Sequence, residues 1–281
     1  MDISIIGSGT MATGITQVLC ISEQVSKINL IARTEERALA SKNLCIKNIT
    51  RLSRKGKISD EQASSALRKL SFTTELTNSV NSDLIIEAIV EDFPSKMELF
   101  SKLANIINDS VIVASNTSSL SITAFASLLP NPKNVIGLHF FNPAPVMELV
   151  EIVVGLETNP EIVDKLMFFT KELGKTPIVV QEAPGFVVNR MLIPMINEAI
   201  SILAEGVANV EDIDKAMKFG AHHPMGPLAL ADLIGNDVNL SIMETLYSET
   251  GDPKYRAHPL LRKMVRANHL GRKTKKGFFE Y

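Results

Sequence analysis

The sequence predicts an α/β chain in which a mostly parallel sheet with helices on both faces spans residues 1–183 and an all-helical unit spans residues 184–281. Three observations predict it. Short apolar strands alternate with amphipathic helices as far as about residue 182, the pattern of a sheet covered on both sides. The first strand runs directly into a glycine-rich loop, Gly7-Ser8-Gly9-Thr10-Met11-Ala12-Thr13-Gly14, that opens a helix. After Pro184-Gly185 the strand signals stop and only helical patterns remain.

The first strand reads as Asp2–Ile6. In the loop that follows, Gly7 permits a tight turn and Gly9 lets a pyrophosphate approach the backbone. The free N–H groups of the next helix, Thr10 to about Cys20, supply hydrogen bonds and the positive end of a helix dipole. Ser8, Thr10 and Met11 complete this lining, and Gly14 closes the fingerprint. A second strand, Ile28–Ala32, follows at the spacing of one βαβ unit, so the first domain is Rossmann-type and takes a dinucleotide.

That second strand ordinarily ends in an Asp or Glu that binds the ribose 2′-hydroxyl of NAD. Here the chain reads Leu30-Ile31-Ala32-Arg33-Thr34. A carboxylate repels a 2′-phosphate, whereas a guanidinium forks onto it, and a charged hydrogen bond of that kind contributes about 1.5–3 kcal/mol. That is about 10- to 150-fold in affinity. Ala12 in the third glycine position points weakly the same way. The expectation is NADP(H) over NAD(H), with Arg33 the main discriminator and Thr34 an accessory.

The remaining elements of the first domain read as a helix Ser59–Leu70, opened by the capping-box pair Ser59 and Gln62, a strand Asp83–Ala88, a helix Pro94–Ile107 and a strand Ser110–Ala114. Strands Val135–Phe140 and Glu148–Val154, a helix Asn159–Leu173 and a strand Thr176–Val180 follow. The second domain reads as helices Phe186–Glu205, Val210–Lys218, Leu228–Glu249 and Leu260–Ala267. The first of these is apolar on nearly every face, which predicts burial within its domain or against a second copy of the chain. Pro194 is expected to kink it, and a homodimer is the favoured assembly.

The bulk numbers exclude some classes. A formal net charge of −2 over 281 residues argues against a nucleic-acid binder, which needs an excess of Lys and Arg. Cys20 and Cys45 fall in helical patterns and read as small core residues, with no disulfide framework and no metal site. No apolar run approaches the ~20 residues of a membrane span. With the first strand beginning at about residue 2, no leader is recognised and a cytoplasmic location is expected.

The residue best placed for chemistry is His139, at the carboxyl end of the strand Val135–Phe140, where ligands bind in open α/β sheets. Folding the next strand back sets it across from Glu151, with Glu148 as a competitor. A carboxylate there fixes one imidazole tautomer and stabilises the imidazolium, and such an acid/base unit contributes typically ~10²–10⁴ in rate. Polar residues Asn116-Thr117-Ser118-Ser119 follow another strand, and Asn189 lies one turn into the second domain. Arg51, Arg54, Lys55 and Lys57 form a basic segment that either holds the phosphates of an acyl carrier such as coenzyme A or is a solvated helix end.

The chain resembles the 3-hydroxyacyl-CoA dehydrogenase family over essentially all 281 residues. The resemblance rests on the Gly7–Gly14 loop, Ile86-Glu-Ala-Ile-Val-Glu91, Ser115-Asn-Thr-Ser-Ser119, His139-Phe-Phe-Asn-Pro143, Pro184-Gly-Phe-Val-Val-Asn-Arg190, His223-Pro-Met-Gly-Pro227 and Gly271-Arg-Lys-Thr-Lys-Lys-Gly-Phe278. It implies Ser118, His139, Glu151 and Asn189 as the catalytic set, with His139 the acid/base, Glu151 its orienting partner, and Ser118 and Asn189 on the substrate's oxygens. It places Glu91, Lys96, Asn142 and Lys273 around the cofactor, and Arg51, Arg54 and Lys55 at the 3′-phosphate end of coenzyme A. The implied reaction is hydride transfer at C3 of a short-chain 3-hydroxyacyl-CoA. The family's usual Asp is replaced by Ala32, and glycines common in the family are replaced by Asn268 and Lys275. The alternatives are a dehydrogenase of a small free hydroxy acid and a non-catalytic cofactor-binding homologue.

Overall fold

Ile3 and Ile5 are wholly buried and Ile6 nearly so, as are Leu84, Ile85 and Ile86. Such unbroken apolar runs are what a strand covered on both faces requires. A computed structural model describes all of residues 1–281, and the chain divides into two units, Met1–Glu182 and Ala183–Tyr281.

The first unit runs β1 Asp2–Ile6, α1 Thr10–Ile21, β2 Lys27–Ile31, α2 Glu35–Arg54, α3 Asp60–Arg68, β3 Leu70–Thr73, β4 Leu84–Glu87, α4 Phe93–Ala104 and β5 Ile112–Ser115. It continues with α5 Ile122–Ala126, β6 Val135–Phe140, β7 Leu149–Val154, α6 Pro160–Glu172 and β8 Thr176–Gln181. The eight strands form one sheet in the order β3-β2-β1-β4-β5-β6-β7-β8. Every neighbouring pair is parallel except β6 with β7. The order reverses between β1 and β4, the switch point at which such sheets open a crevice for a nucleotide. Ile15 and Leu19 of α1 pack with Ile3, Ile28 and Ile86 in the core beneath it.

The structure adds a strand, β3, and ends α3 at Arg68, so the helix expected over Ser59–Leu70 runs into β3 at its last residue. Ser59 and Gln62 do form the reciprocal capping box. The four residues of β3 are only partly buried at the sheet edge, which is why they lack the apolar run that marks the central strands. The helix expected over Pro94–Ile107 occupies Phe93–Ala104.

The second unit holds α7 Val188–Ala204, α8 Val210–Gly220, α9 Pro227–Ile234, α10 Asn236–Thr250 and α11 Pro259–Arg266. The single helix expected over Leu228–Glu249 is two, because Gly235 takes φ 108 between α9 and α10, a conformation that breaks the helical ladder and that favours glycine. α7 begins at Val188 and carries Pro194 without ending there. Its Ile193, Ile196 and Ile200 join Leu228, Met243 and Leu261 in the core of the unit, but Met191 is 72% exposed. Burial of that helix within the chain is therefore one-sided. No helix is long and apolar enough to cross a membrane, and both cysteines are buried free thiols.

Candidate active site

The glycine loop forms as its sequence requires. Gly7 has φ 139, and a Cβ there would lie 2.3 Å from the carbonyl oxygen of Ala88, so only glycine lets the loop after β1 touch the end of β4. Gly9 caps α1 without any side-chain bond to the helix, and the first turn holds no acidic residue. Nothing lies within 4 Å of the position a Gly9 Cβ would take. Open space in front of backbone N–H groups at the positive end of a helix suits a pyrophosphate. Gly14 sits where a Cβ would meet Pro145 and Ala144 at 3.3 and 3.4 Å, so α1 packs closely on the loop after β6, which contains Asn142.

Arg33 is exposed just beyond the end of β2. Thr34 is the N-cap of α2, its hydroxyl accepting from the Arg37 N–H. Glu35 and Glu36 occupy the first turn of α2, and Glu35 accepts a hydrogen bond from Thr74 at 2.9 Å.

His139 and Glu151 are register partners across the antiparallel β6–β7 ladder. Both are buried, and the imidazole Nδ1 lies 2.7 Å from Glu151 Oε2. A carboxylate can only accept, so the neutral ring carries its proton on Nδ1 and presents Nε2 as the basic atom. Phe141 packs on the ring with centroids 4.4 Å apart. Glu148, by contrast, precedes β7 and is exposed.

Ser118 lies in the loop after β5, the strand beside β6. Its N–H and its hydroxyl donate to Glu91 Oε1 at 2.7 and 3.0 Å, and the Thr117 hydroxyl donates to the same oxygen at 2.6 Å. Burial works against ionisation of Glu91, but the Lys96 ammonium at 3.3 Å and the bonds from Thr117 and Ser118 outweigh it and hold the carboxyl below its ordinary range. Asn116 ties this loop to the histidine strand, its side-chain oxygen accepting from the Phe140 N–H at 2.8 Å. Ser118 thus bonds Glu91 in the loops after β5 and β4, His139 pairs with Glu151 across β6 and β7, and Asn116 links the Ser118 loop to the strand of His139.

Two other expected residues, Lys96 and Lys273, have ion-pair partners. Lys96 is 1% exposed and lies 2.5 Å from Glu87. Lys273 pairs with Asp237 at 2.5 Å within the second unit. Asn189 is the second residue of α7. Arg51 and Arg54 lie in the last turn of α2 and Lys55 caps it, all exposed. Sequence reasoning named Asn116 in its polar cluster but gave no role to Glu87 or Ser115, although a carboxylate at the end of the run Leu84-Ile-Ile-Glu87 was a readable signal. It also missed Lys175, whose ammonium binds the carbonyls of Ala144 and Met147 in the loop after β6.

Comparison with known proteins gives the family of the chain. A family model described as "3-hydroxyacyl-CoA dehydrogenase, NAD binding domain" matches residues 2–183, and one described as "3-hydroxyacyl-CoA dehydrogenase, C-terminal domain" matches residues 185–281. The chain is 51% identical to a 3-hydroxybutyryl-CoA dehydrogenase of Clostridioides difficile, covering 100% of this chain and 99% of that one. It is 38% identical to the human mitochondrial hydroxyacyl-coenzyme A dehydrogenase, covering 99% and 90%. The crystal structure of (S)-3-hydroxybutyryl-CoA dehydrogenase PaaH1 from Ralstonia eutropha superposes with a TM-score of 0.95 at 42% identity, covering 100% and 98%. The fold, the loop and the matches over both units make this chain a member of the 3-hydroxyacyl-CoA dehydrogenase family.

Proposed function

We propose that the protein interconverts acetoacetyl-CoA and (S)-3-hydroxybutyryl-CoA by hydride transfer at C3, with NADP(H) preferred. The observation that carries this reading is the buried His139–Glu151 pair at 2.7 Å, with His139 near the carboxyl end of β6 in a sheet whose glycine-rich loop is formed. The names of the relatives supply the substrate class.

The first unit is the cofactor domain and the second takes part in substrate binding and assembly. Gly7, Ser8, Gly9, Thr10, Met11 and Gly14 hold the pyrophosphate end of the dinucleotide, with Arg33 and Thr34 at the 2′-phosphate and Glu91, Asn142 and Lys273 around the rest. When bound, the nicotinamide supplies or accepts the hydride at C3. His139 moves the proton. In reduction the imidazolium gives its Nε2 proton to the C3 oxygen, and in oxidation the neutral ring takes that proton back from the hydroxyl. Glu151 holds the ring and stabilises its charged form. Ser118 and Asn189 hold the substrate's oxygens, and Arg51, Arg54 and Lys55 attract the phosphates of coenzyme A.

NAD is the second reading, favoured by the family model's description and by the carboxylates of Glu35 and Glu36 at the start of α2. Side-by-side initial rates with acetoacetyl-CoA and either NADPH or NADH test the whole proposal. Fast turnover with NADPH alone supports it, fast turnover with NADH removes the cofactor preference, and no turnover with either removes the reaction. A homodimer through the second unit is supported by the exposed apolar side chains Met191, Val207, Phe219 and Leu233. Light scattering on the eluted protein tests it, with a monomer mass the contrary result.

A further inference from the structure

Ser118 is not anchored by Glu91 alone. Behind Glu91 lies a second carboxylate, Glu87, at the end of β4 and 0% exposed. Its Oε1 accepts from the Lys96 ammonium at 2.5 Å and from the Ile89 N–H at 2.7 Å, and its Oε2 accepts from the Ser115 hydroxyl at 2.5 Å. Ser115 is the register partner of Glu87 on β5, and its hydroxyl accepts from the Thr117 N–H. Lys96, 1% exposed, places its ammonium between Glu87 and Glu91. The main chain joins in, with the Asn116 N–H donating to the Glu87 carbonyl.

The Ser118 loop therefore hangs from two carboxylates bridged by one ammonium. One route runs Glu87–Ser115–Thr117 and the other Glu87–Lys96–Glu91–Ser118. A buried carboxylate is costly unless paired and bonded on both oxygens, and Glu87 meets that condition only in this arrangement.

We infer that Glu87 is a positioning residue for the reaction, acting through Lys96 and Ser115 to fix Ser118. The inference rests on the reading of Ser118 as a ligand of the substrate's oxygen. A donor displaced by about 1 Å can cost about 10²-fold in rate, so the scaffold acts on turnover and leaves the binding of the dinucleotide in place.

The test is a double-mutant cycle on the full-length protein with Glu87→Gln and Ser118→Ala, reading kcat and KM for acetoacetyl-CoA and the dissociation constant of NADPH from its fluorescence. Ser118→Ala should lower kcat on the order of 10²-fold, as loss of one oxyanion donor does. Glu87→Gln should lower kcat on the order of 10-fold with NADPH affinity within about 3-fold of the parent. The double variant should be no slower than Ser118→Ala, because interacting positions are not additive. Losses that multiply, or a Glu87→Gln variant that loses NADPH affinity and keeps its kcat, overturn the inference while the role of Ser118 stands. A Ser118→Ala variant at the parent rate removes both. Should Glu87→Gln fail to fold, Ser115→Ala, which keeps every charge, carries the same cycle with the same expected coupling and the same contrary results.

Discussion

His139 and Glu151 face each other across the sheet's antiparallel ladder, Nδ1 to Oε2 at 2.7 Å. The turn in strand direction between β6 and β7 creates this pairing. In a parallel pair the end of one strand lies beside the end of the next, whereas here the fifth residue of β6 meets the third of β7. A carboxyl group thereby reaches a buried histidine and fixes the orientation of its ring.

Glu151→Gln is therefore expected to lower kcat with acetoacetyl-CoA by about 10²–10⁴-fold, the range of acid/base contributions, with NADPH binding retained. Glu148→Gln should change it little. Steady-state rates of the two variants check this, and equal losses would dissolve the pairing as a functional unit.

Arg33→Asp should lower the NADPH/NADH ratio of kcat/KM by about 10- to 150-fold, the value of one charged hydrogen bond lost. An unchanged ratio would show that Arg33 does not meet the 2′-phosphate.

Glu91 is held below its ordinary value of 4.5 against the pull of burial. A carboxyl with a depressed folded pKa contributes stability above its unfolded pKa and loses it as pH falls through the folded value. Compared with Glu91→Gln, the parent should hold its full thermal-stability advantage above about pH 5 and lose it progressively as the pH drops below 4.5. Melting curves across pH 3–7 check this, and a gap independent of pH would contradict the ionised Glu91.

Burial pushes the Cys20 thiol up to about 12 and the Cys45 thiol up to about 11. Since the thiolate is the reactive form, neither should react with a disulfide reagent at pH 8 until the protein is denatured, when both should titrate. Prompt modification of the native protein would contradict their burial.

Much of the fold was legible because its signals are local. The Gly7–Gly14 loop, the apolar runs of β1, β4 and β6, and the box at Ser59 and Gln62 each depend on a few adjacent residues. What was hidden depends on distant ones. β3 is an edge strand that only its pairing with β2 reveals, and the break at Gly235 needs the φ that the surrounding packing imposes. His139 and Glu151 could be paired because a hairpin-like return is readable; the fold-back alone left Glu148 a rival, the family resemblance chose Glu151, and the register agrees. The Glu87–Lys96–Glu91 bridge joins β4 to α4 through side chains, and nothing in the order of residues marks Lys96 as buried. Arg33 was visible as an exposed charge beside a missing acid, while Glu35 engaged with Thr74 was not.

The proposed reaction turns on His139 carrying the proton. The most direct measurement is turnover of His139→Gln with acetoacetyl-CoA and NADPH, alongside NADPH binding by fluorescence. Loss of turnover by about 10²-fold or more with NADPH affinity unchanged is the predicted result; a variant that binds NADPH and keeps a substantial share of the parent rate would contradict it.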